Sequence, residues 1–357
     1  MKLIGTILVG IVLCPATIWA QGCIVARSSS QLVGPETAGG YLSTGEWDIS
    51  FGLRHQYSFR HFVGDVEQTQ RLALGTQVMN KINLLNANAT YQLSPRFSLS
   101  FSAPILLASR RSNNSPITTT AQGLGDITLG AQMWIWDPRE RSKSNIQVGF
   151  GMAFPTGKDN VTNTVNALTG KGPQVQVVDY SIQPGSGGYG LQFSAQGFKS
   201  LPWASQMYIN GSYTATPQNT NNTLRSTTST NPLTAYNSIS DQYLVEAGVA
   251  HAVRQVRGLT LTFGPRWEGV PAKDLIGDSL GFRRPGYAVS VAPGFQYAYR
   301  KNLVTLQMGK AILRDRTRSI PDRITGSHGD AAFADYVWLG SYSYRFGGKK
   351  HKHEDMN

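Results

Sequence analysis

The residues of this chain that could do chemistry include a glycine-rich motif before residue 191. Gly185-Ser186-Gly187-Gly188-Tyr189-Gly190 fits the pattern G-x-G-x-x-G, which cradles the pyrophosphate of a dinucleotide. That chemistry requires a strand before the motif and a helix after it. Here the motif leads into a segment that alternates like a strand, so we expect no cofactor. Gly157-Lys158 and Gly170-Lys171 lack the upstream glycine and the Ser or Thr of a phosphate-binding loop.

The histidines are poorly placed for catalysis. A Ser-His-acid hydrolase needs a histidine beside its nucleophile, and no histidine has inward parity on a predicted strand. A site at the rim, using one of the two loop histidines, stays open as an alternative, and the tail histidines are interpreted as solvated. We therefore predict no enzyme activity, no catalytic residue and no metal site. The histidines lie on predicted strands (His55, His251), in loops (His61, His328) and in the tail (His351, His353).

Charged residues also recur at alternate positions of strand-like segments, where every second side chain points the same way. Four are basic and five are acidic, which argues against a strongly anion-selective interior. Two interpretations stay open: structural ion pairs that brace the interior, or a charged constriction that filters solutes. The candidate lumen-lining residues are Asp48, Arg54, Arg60, Asp126, Glu246, Arg266, Glu268, Asp335 and Arg345.

The elements that must position these residues alternate between apolar and polar side chains. Residues 97–105 carry Phe, Leu and Ile on one face and serines on the other. Residues 47–60 carry Trp, Ile, Phe, Leu and Tyr on one face, including Phe59, with Arg, Asp and Gln on the other. Such a polar face suits a wet lumen better than a dry core, so we predict that the apolar face meets lipid.

The number of such segments and the lengths of their connections predict the fold. About twelve strands are expected, an even number as in single-chain bacterial barrels; an extra hairpin within 172–183 would give about fourteen. Short turns alternate with loops of roughly 15–30 residues, which outer-membrane barrels expose outside the cell. We predict an all-β transmembrane up-and-down antiparallel β-barrel. The long loops are expected near 61–80, 107–122, 156–187, 216–240, 269–285 and 313–331.

The first residues are typical of an export signal. Lys2 precedes an apolar run over 3–13, and Ala20 offers a small residue for cleavage. The apolar run is shorter than the roughly 20 residues that span a bilayer. Cys23 would be the single mature cysteine, which excludes an intrachain disulfide framework. Its acylation is left open, although the preceding residues lack the usual leucine of a lipoprotein box.

The rest of the chain is predicted to form one large domain, located in the outer membrane of a Gram-negative cell. About 337 residues remain after cleavage, enough for a single barrel. The predicted organisation is a signal peptide (1–20), an N-terminal segment that is a plug or periplasmic (21–44), the outer-membrane β-barrel (45–346) and a basic tail (347–357).

The net charge of +12 lies mainly in turns and loops, outside the balanced lumen. Basic loops can contact the phosphates of lipopolysaccharide, so nucleic acid is not expected as a partner. The last strand alternates in aromatic residues up to Phe346, which resembles the signal that the barrel-assembly machinery reads. The basic residues on the long-loop side are Arg110, Arg111, Lys273, Arg283, Arg284, Arg314, Arg316, Arg318 and Arg323.

Several short motifs resemble the outer-membrane barrel family named for a role in the meta pathway of phenol degradation. They are Gly123–Ile127, Phe154–Asp159, the glycine-rich segment before residue 191, Gly264–Pro271 and Gly281–Tyr287, within roughly 120–346. The resemblance implies a transporter-like barrel without catalytic residues. The family name implies aromatic substrates, but these residues do not specify phenol.

Three functions follow as alternatives. The first is an outer-membrane channel or transporter for small solutes, with apolar or aromatic compounds among the candidates. The second is a non-transporting structural or surface-interaction barrel, plugged by residues 23–44 or by folded-in loops. The third is a lipid-modifying barrel enzyme.

Overall fold

The computed structural model describes residues 41–166, 172–225 and 231–348. Within them, one antiparallel sheet closes on itself into a barrel of twelve strands, as the alternation predicts. The predicted signal peptide, Cys23 and nearly all of the predicted N-terminal segment and basic tail lie outside the described residues. No helix among the described residues is long and apolar enough to cross a membrane.

Twenty-two strand segments are present in the described ranges. Three of the twelve barrel strands are interrupted, and each is written here as two segments: β6 with β7, β16 with β17, and β18 with β19. In chain order the segments are β1 (Glu46–Ser58), β2 (Arg60–Val63), β3 (Val66–Glu67), β4 (Val78–Gln92), β5 (Phe97–Ser112), β6 (Thr118–Leu124), β7 (Ile127–Trp134), β8 (Ser144–Phe154), β9 (Thr162–Asn166), β10 (Pro173–Val177), β11 (Gly190–Leu201), β12 (Ser205–Ala215), β13 (Thr220–Leu224), β14 (Tyr236–Ser238), β15 (Gln242–Ala252), β16 (Leu259–Phe263), β17 (Pro265–Val270), β18 (Gly286–Val291), β19 (Gly294–Tyr299), β20 (Asn302–Asp315), β21 (Ala331–Phe333) and β22 (Tyr336–Gly347).

The barrel is closed by its first and last strands. β1 pairs with β4 on one side, where Phe51 lies opposite Ala87, and with β22 on the other, where Phe51 lies opposite Tyr342. Closure leaves no unpaired sheet edge in the bilayer, where backbone groups have no water to bond. Consecutive barrel strands are joined by short turns at one end and long loops at the other, and the long-loop end faces outside in this class of barrel.

Side-chain exposure follows the predicted parity along β1, with one exception at its end. Phe51 is 61% exposed and faces lipid, whereas Arg54 is 2% exposed and faces inward. Phe59 was expected on the lipid face but is 7% exposed. β1 ends at Ser58, so the two-residue alternation no longer applies to the next side chain.

The register of β20 changes at one point. Ala311 lies opposite Ser290, but Leu313 lies opposite Val289, so one extra residue bulges between them. Lys310, just before the bulge, keeps its outward parity and lies 6.0 Å from the ring of Tyr336. A lysine at this position can extend toward the membrane interface while its charge contacts an aromatic ring.

Two of the predicted loop regions differ from expectation. β5 and β6 continue as a hairpin beyond the barrel body, so the connection is 113–117 instead of 107–122. The hairpin considered within 172–183 does form in part, because β10 pairs with β9, but this pair is separate from the barrel sheet and leaves the count at twelve.

The loop between β8 and β11 folds into the barrel. Ile82, Leu84 and Leu106 point inward and pack with Val178 and Ile182 of this loop in one buried apolar cluster. A short 3-10 helix over Tyr180–Ile182 carries Ile182 into the cluster. Burying these side chains supplies the hydrophobic free energy that holds a long loop inside a polar lumen.

The remaining helices and small sheets lie at the loop end. α1 (Thr69–Ala73) and α2 (Ile320–Ile324) are single turns. β2 pairs with β3 and β21, and this small sheet contributes Phe62 and Phe333 to a second apolar cluster with Val270 of the barrel wall. The loop end of the barrel is therefore packed on two sides.

Candidate functional site

Four of the charged residues that sequence parity assigns to the lumen form a chain of ion pairs across it. Arg54 on β1 donates to both carboxylate oxygens of Glu268 on β17, at 2.9 and 2.8 Å. Arg266 donates to Glu268 at 3.0 Å and to Glu246 on β15 at 3.0 Å. All four side chains are at least 94% buried and their charges sum to zero. Because β22, β20 and β18 separate β1 from β17 in the sheet, the chain crosses the interior.

The other predicted lumen residues lie nearer the two ends. Asp48 accepts from Arg345 at 3.1 Å at the turn end. Arg60 donates to Asp335 at 2.8 Å at the loop end, and also pairs with Glu67 of β3. Eight of the nine candidates are thus joined to one another in pairs or chains.

An uncharged cavity occupies the opposite side of the lumen. Its volume is about 280 Å³, and its walls come from β4, β5, β7, β8, β11, β12 and β15. A narrow cleft of about 30 Å³ continues from it between the loops and shares Ser186, Ser240 and Gln242 with it. Most of the lining is hydroxyl and amide side chains, and among the residues that line it Asp126 is the one charged group.

The roof of this cavity is a junction of three glycines. A Cβ on Gly185 would lie 2.1 Å from the carbonyl oxygen of Gly157, and one on Gly157 would lie 2.8 Å from the Cα of Gly125. Asp126 accepts hydrogen bonds from the backbone of Gly157 at 3.1 Å and from the backbone and hydroxyl of Ser186 at 2.7 and 2.6 Å. The glycine-rich motif before residue 191 therefore packs against two other loops, as a close backbone contact.

Aromatic rings lie at the turn end of the lumen. Trp134 on β7 and Phe198 on β11 point inward, are 5% and 6% exposed, and have ring centroids 6.2 Å apart. Tyr41, which precedes β1, stacks edge-on against Trp134 at 5.0 Å and donates to the carbonyl of Arg141. The chain before β1 thus crosses this end of the barrel from one wall to another.

The two loop histidines are bound to the backbone. His61 accepts a hydrogen bond from the amide of Val78 at 2.9 Å through Nε2 and bonds to Asp330 at 2.7 Å through Nδ1. His328 bonds to the carbonyl of Arg316 at 2.6 Å. Among the described residues no group of three His, Cys, Asp or Glu could hold a metal ion.

Several loop arginines are buried, so the prediction that they contact lipopolysaccharide is wrong for them. Arg283 is 1% exposed and donates to Asp274 at 2.7 Å. Arg316 is 2% exposed and donates to Asp322 at 3.0 Å. A basic loop residue looks the same in sequence whether it faces solvent or a buried carboxylate. Arg111, Lys273, Arg318 and Arg323 are exposed.

Asp179 links the folded-in loop to two walls of the barrel. Its carboxylate accepts from both terminal nitrogens of Arg284 at 2.8 Å and from Arg110 at 3.3 Å. Burial alone would raise the pKa of Asp179, but the charges of Arg284 and Arg110 and the bond from Ser181 hold the pKa well below its usual range. The carboxylate is therefore ionised wherever the protein is stable.

This depressed pKa predicts how the loop responds to acid. The Asp179 links stabilise the loop fully above the unfolded pKa of about 4 and are lost as pH falls through the lower folded pKa. We expect pepsin to cut the 172–189 loop slowly at about pH 4 and faster as the pH is lowered further. Asp179→Asn should be cut rapidly at every pH, and equal cutting of variant and wild type at pH 4 would contradict the role given to Asp179.

Sequence reasoning singled out the charged lumen residues and missed the uncharged ones. Ser100, Ser102, Asn86 and Asn88 have the same inward parity as the charged set, and all four line the cavity. Parity was the available signal for them. It could not indicate which inward residues meet other side chains and which face open space.

Comparison with known proteins agrees with this architecture. The family model described as "Putative MetA-pathway of phenol degradation" matches residues 63–197. This range contains Gly123–Ile127, Phe154–Asp159 and the glycine-rich motif, which are the three segments of the cavity roof. The motifs over 264–271 and 281–287 lie beyond it. A search of curated proteins found no match.

Solved structures of low sequence identity share the fold. An outer membrane channel from Pseudomonas putida F1 is 13% identical, with a TM-score of 0.58, over 88% of this chain and 100% of that chain. The translocator domain of the autotransporter NalP from Neisseria meningitidis is 11% identical, with a TM-score of 0.43, over 86% and 90%. The P. putida toluene transporter TodX is 10% identical, with a TM-score of 0.42, over 85% and 91%.

These findings confirm the resemblance to the family over the matched residues and the fold as a whole. The protein is an outer-membrane β-barrel whose residues 63–197 match the family described as "Putative MetA-pathway of phenol degradation".

Proposed function

We propose that this protein is an outer-membrane channel for small solutes, with aromatic compounds among them. The observation that carries the proposal is the uncharged cavity inside a closed barrel, which continues as a cleft between the loops. The family description supports aromatic solutes, and the outer membrane channel from P. putida F1 supports transport as the role of this fold. The ion-pair chain braces the other side of the lumen and leaves the cavity side as the path.

Swelling of proteoliposomes tests the channel directly. Refolded protein should let small uncharged solutes equilibrate faster than empty vesicles do, with rates that fall as solute size increases. Swelling no faster than that of empty vesicles, for every solute smaller than the cavity, would refute transport.

A second candidate function is the plugged surface barrel, and the aromatic contact at the turn end favours it. If the chain before β1 closes this end, Tyr41→Ala should loosen it, because the variant loses the rings' contact and the bond to Arg141. We expect single-channel conductance to rise in Tyr41→Ala, with Tyr57→Ala on the outer face as the control. Equal conductance in the three proteins would show that Tyr41 does not close the path.

The route to the membrane follows the same proposal. A signal peptide over 1–20 would export the chain, the aromatic last strand would be read by the barrel-assembly machinery, and the exposed loop residues Arg111, Lys273, Arg318 and Arg323 would contact lipopolysaccharide. Removing the aromatic residue Phe346 should slow assembly of the barrel in vesicles that contain the assembly machinery.

A further inference from the structure

We infer that the lumen cavity binds small uncharged solutes that carry a hydroxyl or primary amide group, and that Asn210 recognises this group. The inference rests on the proposed function and deepens it, because it names the class of solute. It is carried by the hydrogen-bonding state of Asn210 and by the chemistry of the surrounding lining.

Asn210 is a buried amide that meets no bonding partner among the described residues. It lies on β12 opposite Gln196 of β11 and Glu246 of β15, lines the cavity and is 6% exposed. Neither its side-chain nitrogen nor its oxygen has a hydrogen-bond partner in the described part of the protein. Most buried polar groups in proteins are paired, so an amide with both ends free calls for a partner from outside the chain.

The lining around Asn210 favours an uncharged partner. Side chains such as Gln192, Thr214 and Ser212 offer donors and acceptors, and no Lys, Arg or His is among the described residues that line the cavity. Asp126 already accepts bonds from the roof. An ion entering this space would lose its hydration without gaining a counter-charge. A hydrocarbon would displace water from Asn210 and leave both ends of the amide unbonded.

The size and the apolar part of the lining set the rest of the solute. A volume of about 280 Å³ is at the small end of ligand sites, which span about 300–1,000 Å³. Leu84, Pro104, Pro184 and Leu244 give the cavity apolar surface beside the polar groups. A single ring or short carbon chain with one hydroxyl or amide group fits both features.

Four probes that share one ring separate the alternatives. Calorimetry of the refolded full chain in detergent, corrected with protein-free micelles, compares benzyl alcohol and benzamide with benzoate and toluene. We expect the alcohol and the amide to bind at least tenfold more tightly than the anion and the hydrocarbon. Equal binding of all four, or tighter binding of toluene or benzoate, would overturn the inference.

Replacing Asn210 tests the residue itself. Asn210→Leu should weaken benzyl alcohol binding about tenfold or more, and should keep or raise the thermal unfolding temperature, because it removes an unbonded buried amide. Asn83→Leu is the matched control, since Asn83 bonds to His55 on the outer face and should leave binding unchanged. A lower unfolding temperature in Asn210→Leu, or unchanged binding, would assign Asn210 no recognition role.

A milder variant keeps the test valid if Asn210→Leu does not refold. Thr214→Val preserves side-chain shape in the cavity wall and removes one hydroxyl, so benzyl alcohol should bind several-fold more weakly, while Thr262→Val outside the cavity should bind normally. Failure of the inference is distinct from failure of the proposed channel. Swelling without selective binding keeps the channel and rejects the inference, whereas selective binding without swelling does the reverse.

Discussion

Arg266→Met is expected to lower the free energy of unfolding of the barrel by about 3–5 kcal/mol, because it leaves buried carboxylates without their cation. Arg266 is 1% exposed and is the charged partner of Glu246, which is itself 0% exposed. Tyr208 and Gln307 also donate to Glu246, but neither carries a positive charge. Urea titration of the refolded protein in lipid vesicles measures the change.

A compensated variant separates charge burial from packing. Arg266→Met combined with Glu246→Gln keeps the lumen neutral, since Arg54 and Glu268 remain paired. We expect the double variant to recover most of the lost stability. A loss below about 1 kcal/mol in Arg266→Met would instead indicate water-screened charges, as in a filtering constriction, and would contradict the bracing role.

Asp126→Ala is expected to raise solute permeability several-fold. Its carboxylate holds the roof through three hydrogen bonds to Gly157 and Ser186. Each bond to a charged acceptor contributes about 1.5–3 kcal/mol, and about 1.4 kcal/mol changes the open population tenfold. The initial swelling rate of proteoliposomes and the single-channel conductance should both rise.

Two further variants control for folding and for charge. Asp137→Ala removes an acid that bonds to Arg139 in a turn at the other end of the barrel, and should not change the swelling rate. Asp126→Asn keeps the size of the side chain and should give an intermediate rate. If Asp126→Ala swells at the wild-type rate, the roof does not limit the path.

The comparison of prediction and structure is most informative at the inward positions of β4 and β5. Parity correctly placed Ser100 and Ser102 of β5 on the inner face. The same inner face carries Ile82, Leu84 and Leu106, which looked out of place beside a wet lumen. They pack against a loop that starts far along the chain, and a pattern with a period of two residues contains no information about that partner.

The charged residues show the same division. Their inward parity could be read from the alternation of β1 and β17, yet the pairing of Arg54 with Glu268 depends on which walls face each other across the lumen. Arg283 and Arg316 look like ordinary surface residues in sequence and are buried against carboxylates. Whether a loop folds inward is decided by contacts between segments that no local spacing reveals.

The sequence by itself determined the barrel, the approximate number of strands, the face that meets lipid and the family resemblance, because each depends on local alternation or short motifs. The tertiary structure alone decided where the lumen is braced, where a cavity remains and which side chains face it. Those features arise from packing between distant segments: the glycine junction near Asp126, the loop core around Ile182 and the unpaired amide of Asn210 exist only once the closed sheet brings them together.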